Sequence, residues 1–374
     1  MTKATKHNKA LIIAGEASGD FYGGHLVENL IKILPDYNFM AYGGSCLENA
    51  GANLVYPLVD NAVIGVYEAI RHLPQYLKIF SNLKKLLRSE RPSPVILIDY
   101  GGFNMKVAAF AKSIGLKVIY YIPPKVWIWN KKRAKTLAKT CDLIVTIFPF
   151  EPPLYTKHSG NAVYCGHPLI DSLNPVREKT LSKTVALLPG SRPQEITTML
   201  PVFLDAAHLL LKKMTDISFE IPIAHTVKKE KLEKIISTRD LLPLTLLKKP
   251  VTKILKRSVA ALSTSGTVTL ETAITGIPQV ITYKVSPFSA LIFNTFVKAP
   301  FIGLPNIIAK KEICPEITQK NCTPENIAKQ LLPLLTDTSE RQKQKQNLAK
   351  MYQLLGEKGA TGRIAKVMLP YFNK

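Results

Sequence analysis

The chain has 374 residues, 46% of them hydrophobic, and 50 Lys and Arg against 27 Asp and Glu for a formal charge of +23. That length favours two domains, and that apolar content excludes a disordered or fibrous chain. Five cysteines without a C-x-x-C pair and seven histidines without H-x-x-x-H spacing argue against a disulfide framework or a zinc centre, so no metal and no cofactor are expected.

The first nine residues are basic, and the apolar run that follows, Ala10 to Ala14, is too short for a signal-peptide core. KALIIAG, from Lys9, reads as a buried strand running into the glycine-rich turn AGEASGDFYGGH. The turn matches neither the dinucleotide nor the Walker pattern. It is either a tight strand-to-helix turn or a site, and Glu16, Ser18 and Asp20 around Gly19 favour a site. NFMAYGG from Asn38 is the next strand. From Val63, apolar residues recur at helical spacing with lysines between them. Such a stretch lies in a membrane interface or in a core, and Val63, Ile64 and Val66 are its candidate lipid contacts.

VILIDYGGFN follows, with Asp99 directly after four apolar residues. A carboxylate emerging from the carboxyl end of a strand suits a general base, and it also suits a helix cap. KVIYYI from Lys117 and DLIVTIF from Asp142 complete the strands of the first half. Between them Trp127 and Trp129 precede Lys131, Lys132, Arg133 and Lys135, a pairing of interfacial aromatics with cations. The turn-rich GHPLIDSLNP, 166–175, reads as the linker, giving a first domain over 1–170 and a second over 176–355.

The strand series restarts at VALLPG, Val185, and continues with SFEIPIA from Ser218, SVAALSTSG from Ser258 and PQVITYK from Pro278. Apolar strands without inside/outside alternation, separated by helices, indicate parallel sheets covered on both faces. In such sheets ligands sit beyond the carboxyl ends of the strands. There, Gly190 and Ser191 fall where a helix begins, with N–H groups free for an anion, and Arg192 adds a fork suited to phosphate or a partner for Glu195. Ser265, Gly266 and Thr267 open a second helix, and Glu271 follows about a turn later, placed for ribose hydroxyls. The bland alternative is a capped core helix. No D-x-D pattern occurs, which favours a metal-free leaving-group site. The lipophilic stretch from Val285 to Val297 is shorter than the roughly 20 residues that span a bilayer. With Phe288 and Phe293 it reads as a membrane contact.

Together these motifs resemble the lipid-A-disaccharide synthase family. AGEASGD, IDYGGFN, VWIWNKKRAK, IFPFEPPLY, GHPLID, LLPGSRPQEI, SGTVTLETAITGIP, YKVSP and LPNIIAKKEICPEITQ carry the resemblance in order over nearly the whole chain. It implies a GT-B fold, two Rossmann-like doubly wound domains facing a cleft, with the C-terminal helix within 356–374 packing back on the first. It implies an inverting, metal-independent hexosyl transfer from UDP-2,3-diacylglucosamine to 2,3-diacylglucosamine 1-phosphate. The expected location is the inner face of the inner membrane, on an anionic surface. The implied catalytic residues are Asp99 and Arg192. Ser265 to Thr267 and Glu271 are the implied donor residues, with Asn306, Glu316 and Gln319 in a second donor-side motif. Glu16, Ser18, Gly19 and Asp20 face the acceptor. The chain departs from the family pattern at Gly102, at Pro123-Pro124 and at Lys310-Lys311. Other GT-B nucleotide-sugar enzymes, a different transferase or a UDP-sugar epimerase, share the fold and the nucleotide turn. The charge alone would also suit a nucleic-acid-binding protein, but the basic residues are spread along the chain and no module signature is present, so no nucleic-acid partner is expected.

Overall fold

A computed structural model describes residues 8–59, 73–128, 131–175, 183–224, 227–239, 242–284 and 300–372. The chain divides into two compact units, Met1–Pro168 with Gly356–Lys374, and Leu169–Leu355.

Among the described residues the first unit alternates strands β1 (Lys9–Ala14), β2 (Asn38–Gly43), β3 (Asn53–Pro57), β4 (Val95–Ile98), β5 (Val118–Tyr121), β6 (Leu143–Thr146) and β7 (Ala162–Tyr164) with helices, and the C-terminal helix Ala360–Met368 joins it. The alternating helices are α1 (Ala17–Ile33), α2 (Ser45–Asn49), α3 (Leu73–Glu90), α4 (Gly101–Ser113), α5 (Lys132–Thr140) and α6 (Pro152–Thr156). The strands form one parallel sheet in the order β3-β2-β1-β4-β5-β6-β7. The four residues of β4, β5 and β6 are all buried, because helices cover both faces. Leu83, Leu87, Phe103, Val107 and Tyr120 join the core on one side of the sheet.

The C-terminal residues complete this unit. Phe372 packs edge-on against Tyr37 at 5.1 Å, Arg363 Nε donates to the Cys165 carbonyl at 3.0 Å, and Asn161 Nδ2 donates to the Tyr371 hydroxyl at 2.7 Å. Apolar burial and three sequence-distant contacts thus hold the chain end in place.

The second unit contains α7 (Leu169–Ser172), β8 (Thr184–Leu188), α8 (Pro193–Leu211), β9 (Ser218–Pro222), α9 (Lys229–Ile236), β10 (Leu244–Leu247), α10 (Val251–Leu255) and β11 (Ser258–Thr264). It continues with α11 (Thr267–Ile274), β12 (Gln279–Tyr283), α12 (Leu304–Ala309), β13 (Glu316–Thr318), α13 (Pro324–Leu331) and α14 (Ser339–Gln353). Its strands form a second parallel sheet, β10-β9-β8-β11-β12-β13. Arg341 of α14 is fully buried, its Nη1 donating to the carbonyls of Val259 and Leu334 at 2.6 Å each. A buried guanidinium is tolerated because backbone carbonyls accept its hydrogen bonds.

Val63, Ile64, Val66, Phe288, Phe293 and Trp129, expected at a membrane, lie outside the described residues. Of the described part of the first amphipathic stretch, Ile79, Leu83 and Leu87 of α3 are buried in the core, while Leu77 of the same helix is 54% exposed. No helix among the described residues is long and apolar enough to cross a membrane.

Candidate functional site

Each sheet reverses its strand order at one point, where adjacent loops diverge and leave a crevice at the carboxyl edge. In the first unit that point lies between β1 and β4. Ala14 pairs with Ile98, so Gly15-Glu16 and Asp99-Tyr100 leave the sheet side by side. A Cβ on Gly15 would stand 2.2 Å from Tyr100 Cδ1, so only glycine lets the two loops touch.

Asp99 and Tyr100 both adopt the left-handed region, φ 49° each. For residues other than glycine that conformation costs on the order of 1–3 kcal/mol each and needs support from the surroundings. The support is visible. Asp99 N donates to the Tyr121 carbonyl at 3.2 Å, and the Asp99 carbonyl accepts from Tyr120 Oη at 2.8 Å and Asn104 Nδ2 at 2.9 Å. Fully buried Asn104 also reaches the Ile98 carbonyl at 3.1 Å. Neither Asn104 nor Tyr120 stands out in the sequence, although a buried-type amide one turn after Asp99 was a signal. Asp99 does not cap α4. The capping position is Tyr100, and no side chain caps there. Burial and the nearby Glu16 carboxylate push the Asp99 carboxyl up to about 6, while Lys125 and the Tyr100 backbone N–H pull it back. Glu16 itself is half-buried at the N-cap of α1, with Ser18 half-buried in the first turn.

Asp20 does not face an acceptor. Its carboxylate is 3% exposed and accepts the N–H groups of Gly44 at 2.7 Å, Cys46 at 2.9 Å and Leu47 at 3.3 Å. It caps α2, because those donors have no other acceptor at the helix start. Trp127 also differs from expectation. An interfacial tryptophan keeps its N–H at the wet boundary, but Trp127 donates Nε1 inward to buried Glu151 at 3.0 Å.

In the second unit the reversal lies between β8 and β11, where Leu188 pairs with Ser263. The loop Pro189–Arg192 and the turn Ser265–Thr267 therefore lie next to each other. Gly190 has φ 109°, and a Cβ there would meet Glu195 Oε2 at 2.6 Å. Free N–H groups are expected here at Gly190 and Ser191, but the Ser191 N–H donates to the Glu195 carboxylate at 3.2 Å, and so does that of Arg192 at 3.3 Å. The helix supplies its own acceptor three residues in, as a capping box does. Arg192 Nη1 also meets Glu195 at 3.2 Å, with its side chain 57% exposed. With those N–H groups engaged, the group this loop leaves open to solvent is the Arg192 guanidinium. Tyr283, at the end of β12, lies close enough to feel both Glu195 and Arg192.

The second turn is different. Gly266 and Thr267 are exposed, and the first N–H groups of α11, Gly266 to Val268, find no acceptor among the described residues. Ser265 Oγ donates to the Ile302 carbonyl at 2.9 Å, which fixes the turn from behind. Glu271 is half-buried, its carboxylate has no hydrogen-bond partner among the described residues, and burial pushes it above the usual range.

Asn306 and Glu316 point inward. Asn306 is fully buried, its Nδ2 donating to the Cys314 carbonyl at 2.8 Å and to Glu316 Oε1 at 2.7 Å. Its Oδ1 accepts Ile313 N and Cys314 N at 2.8 and 2.9 Å. Glu316 accepts Ile302 N at 2.8 Å and Gly303 N at 2.9 Å. These bonds staple the segment at Ile302 that in turn holds Ser265, so both residues reach the turn through the backbone. Gln319, at φ 49°, opens the short 3-10 turn that follows β13.

Glu16, Ser18 and Asp99 thus gather at the edge of one unit, and Gly190 to Arg192 and Ser265 to Thr267 at the edge of the other. Comparison with known proteins supplies the family. The Lipid-A-disaccharide synthetase family model matches residues 10–365. The lipid-A-disaccharide synthase of Syntrophus aciditrophicus is 38% identical, over 97% of this chain and 98% of the relative. Among solved structures, the UDP-GlcNAc 2-epimerase of Neisseria meningitidis bound to UDP-GlcNAc superposes with a TM-score of 0.64 at 14% identity, covering 97% of this chain and all of the other. The glycotransferase of kitacinnamycin does so at 0.65 and 12%, covering 98% and 99%. These distant likenesses establish the GT-B fold, and with the full-length family match the chain belongs to the lipid-A-disaccharide synthase family of glycosyltransferases.

Proposed function

We propose that the chain transfers 2,3-diacylglucosamine from its UDP derivative to the 6-hydroxyl of 2,3-diacylglucosamine 1-phosphate. The product is the β-1,6-linked disaccharide phosphate, with UDP released. The observation that carries the reading is the pair of loops at each reversal point, an acid in one unit and anion-ready donors in the other. Asp99 takes the proton of the acceptor hydroxyl, whose oxygen bonds to the anomeric carbon as the bond to the UDP oxygen breaks on the opposite face, inverting the centre. A carboxyl held near 6 is largely ionised at neutral pH yet basic enough to accept that proton.

The exposed N–H groups of Gly266 to Val268 and the Arg192 guanidinium hold the departing diphosphate, where negative charge grows. Glu271 accepts the ribose hydroxyls, giving its buried carboxylate the partners it lacks. Asn306, Glu316 and Gly190 shape these turns. The charge of +23 draws the chain to the anionic cytoplasmic leaflet that holds both lipids.

Incubating the protein with both lipids and EDTA, then weighing the products by mass spectrometry, tests the reading. A tetra-acyl disaccharide monophosphate plus UDP is expected. Epimerisation of UDP-GlcNAc without a lipid acceptor, and no disaccharide, would reject it in favour of the epimerases that share the fold.

A further inference from the structure

Glu151 is a buried acid that the reaction, as described, does not use. It stands at the start of α6, 1% exposed. Trp127 Nε1 donates to its Oε1 at 3.0 Å and Phe148 N to its Oε2 at 3.1 Å. The Trp127 ring stands edge-on to Phe150 at 5.3 Å and to Phe148 at 6.2 Å, while those two phenyl rings stack on each other at 5.6 Å. Burying a carboxyl costs several kcal/mol, which its hydrogen bonds only partly offset, and an apolar residue would avoid that cost.

What they fix is a turn. Trp127 lies two residues after Lys125, and Val126 between them is buried. Val126 N donates to the Pro124 carbonyl at 2.7 Å, and Ile128 N to the Lys125 carbonyl at 3.1 Å. At the other end of the turn the Pro124 ring lies so close to Gly101 that a Cβ there would stand 2.7 Å from Pro124 Cγ. Gly101 is two residues past Asp99. The segment 124–127 is thus tied to Glu151 at one end and rests on the Asp99 loop at the other. Lys125 projects from its middle, exposed, in no ion pair among the described residues, and within electrostatic reach of Asp99, Glu151 and His167.

We propose that Glu151 is a positioning residue for the transfer reaction: by accepting the Trp127 indole N–H it fixes the Pro124–Trp127 turn so that the Lys125 ammonium stands beside Asp99. The proposal rests on the reading of Asp99 as the base. Lys125 favours the ionised form of Asp99 against burial and Glu16, so misplacing the turn raises the Asp99 carboxyl further and shifts it out of line. The charged and titratable groups facing Glu151 are Lys125 from the loop after β5, Tyr155 of α6 and Tyr164 of β7. Burial pushes the Glu151 carboxyl up to about 7, against the hydrogen bonds of Trp127, Phe148 and Ile147 and the charge of Lys125. The ionised, better-accepting form therefore prevails above about pH 7 and is lost below it.

Steady-state kinetics of Glu151→Gln, Trp127→Phe, their double variant and Asp99→Asn, over pH 5 to 9, test this. Each single latch variant should lower kcat about 10- to 100-fold with both KM values little changed. The double variant should be no worse than the weaker single one. The acid limb of kcat/KM should fall with two protons in the wild type and with one in Glu151→Gln. A merely structural role would not change that slope. The Trp127 indole N–H resonance, assigned with Trp127→Phe among the two tryptophans of the chain, should move with pH near 7 and become fixed in Glu151→Gln. Wild-type kcat and an unchanged slope in both latch variants, with Asp99→Asn inactive, would refute the latch and leave the base standing. Turnover by Asp99→Asn would remove the base and the latch role with it.

Discussion

Asp99 is held in a conformation and an environment that both work against folding. Its backbone is left-handed, and its carboxyl is pushed from 3.8 up to about 6. A carboxyl raised in the folded state favours folding below its unfolded value, and that contribution is lost as pH rises through about 6. Asp99→Asn keeps the shape and removes the ionisation. It should therefore unfold about 1–3 kcal/mol later than the wild type at pH 8 and no later at pH 4, as read by urea titration. Arg192 presents the opposite case. Its exposed pair with Glu195 contributes under about 1 kcal/mol, yet Arg192 sits on the loop that leaves the sheet beside the Ser265–Thr267 turn. Arg192→Ala should leave the urea midpoint almost unmoved and lower kcat on the order of 100-fold.

At the scale of elements, the four strands that escape the sequence reading are β3, β7, β10 and β13. They are the edge strands of the two sheets, and the nine recognised strands are the interior ones. The reason is physical. Interior strands such as β4, β5, β6 and β11 are buried along their whole length, whereas β3 alternates between exposed and half-buried residues, β10 is only partly buried, and β7 and β13 have three residues each. The loops after β1, β4, β8 and β11 could be located from the sequence because each follows an interior strand. Which of their polar groups are already engaged could not. Asp20 and Glu195 satisfy helix starts, and Asn306 is enclosed by a backbone 7 to 8 residues away, with Glu316 as its tenth. Such pairings depend on three-dimensional closure. Asn306→Ala should cost about 2–4 kcal/mol by leaving buried donors and acceptors unmet, with the loss confined to the second unit's unfolding transition. Donor KM should rise with it, because the Ile302 carbonyl that holds Ser265 would shift.

At the scale of the molecule, two doubly wound units bring complementary chemistry to the edges of their sheets. The first offers an acid, and the second offers N–H groups, a guanidinium and an acid. The net charge of +23 fits substrates anchored in an anionic leaflet better than nucleic acid, given this fold and family. Co-sedimentation with vesicles should therefore require anionic lipid and weaken steeply with salt, as screening shortens the reach of charge to about 8 Å near 0.15 M. Binding to neutral vesicles at equal strength would point to apolar insertion instead. If Asp99 deprotonates the lipid acceptor in a transfer from a UDP-sugar, its carboxylate is indispensable to turnover. The most direct measurement is the turnover of UDP-2,3-diacylglucosamine and 2,3-diacylglucosamine 1-phosphate by the wild type and by Asp99→Asn at pH 8. Disaccharide formation by the wild type with a loss of roughly 100- to 10,000-fold in Asp99→Asn is the predicted result. Equal rates in the two proteins, or no disaccharide from either, would contradict it.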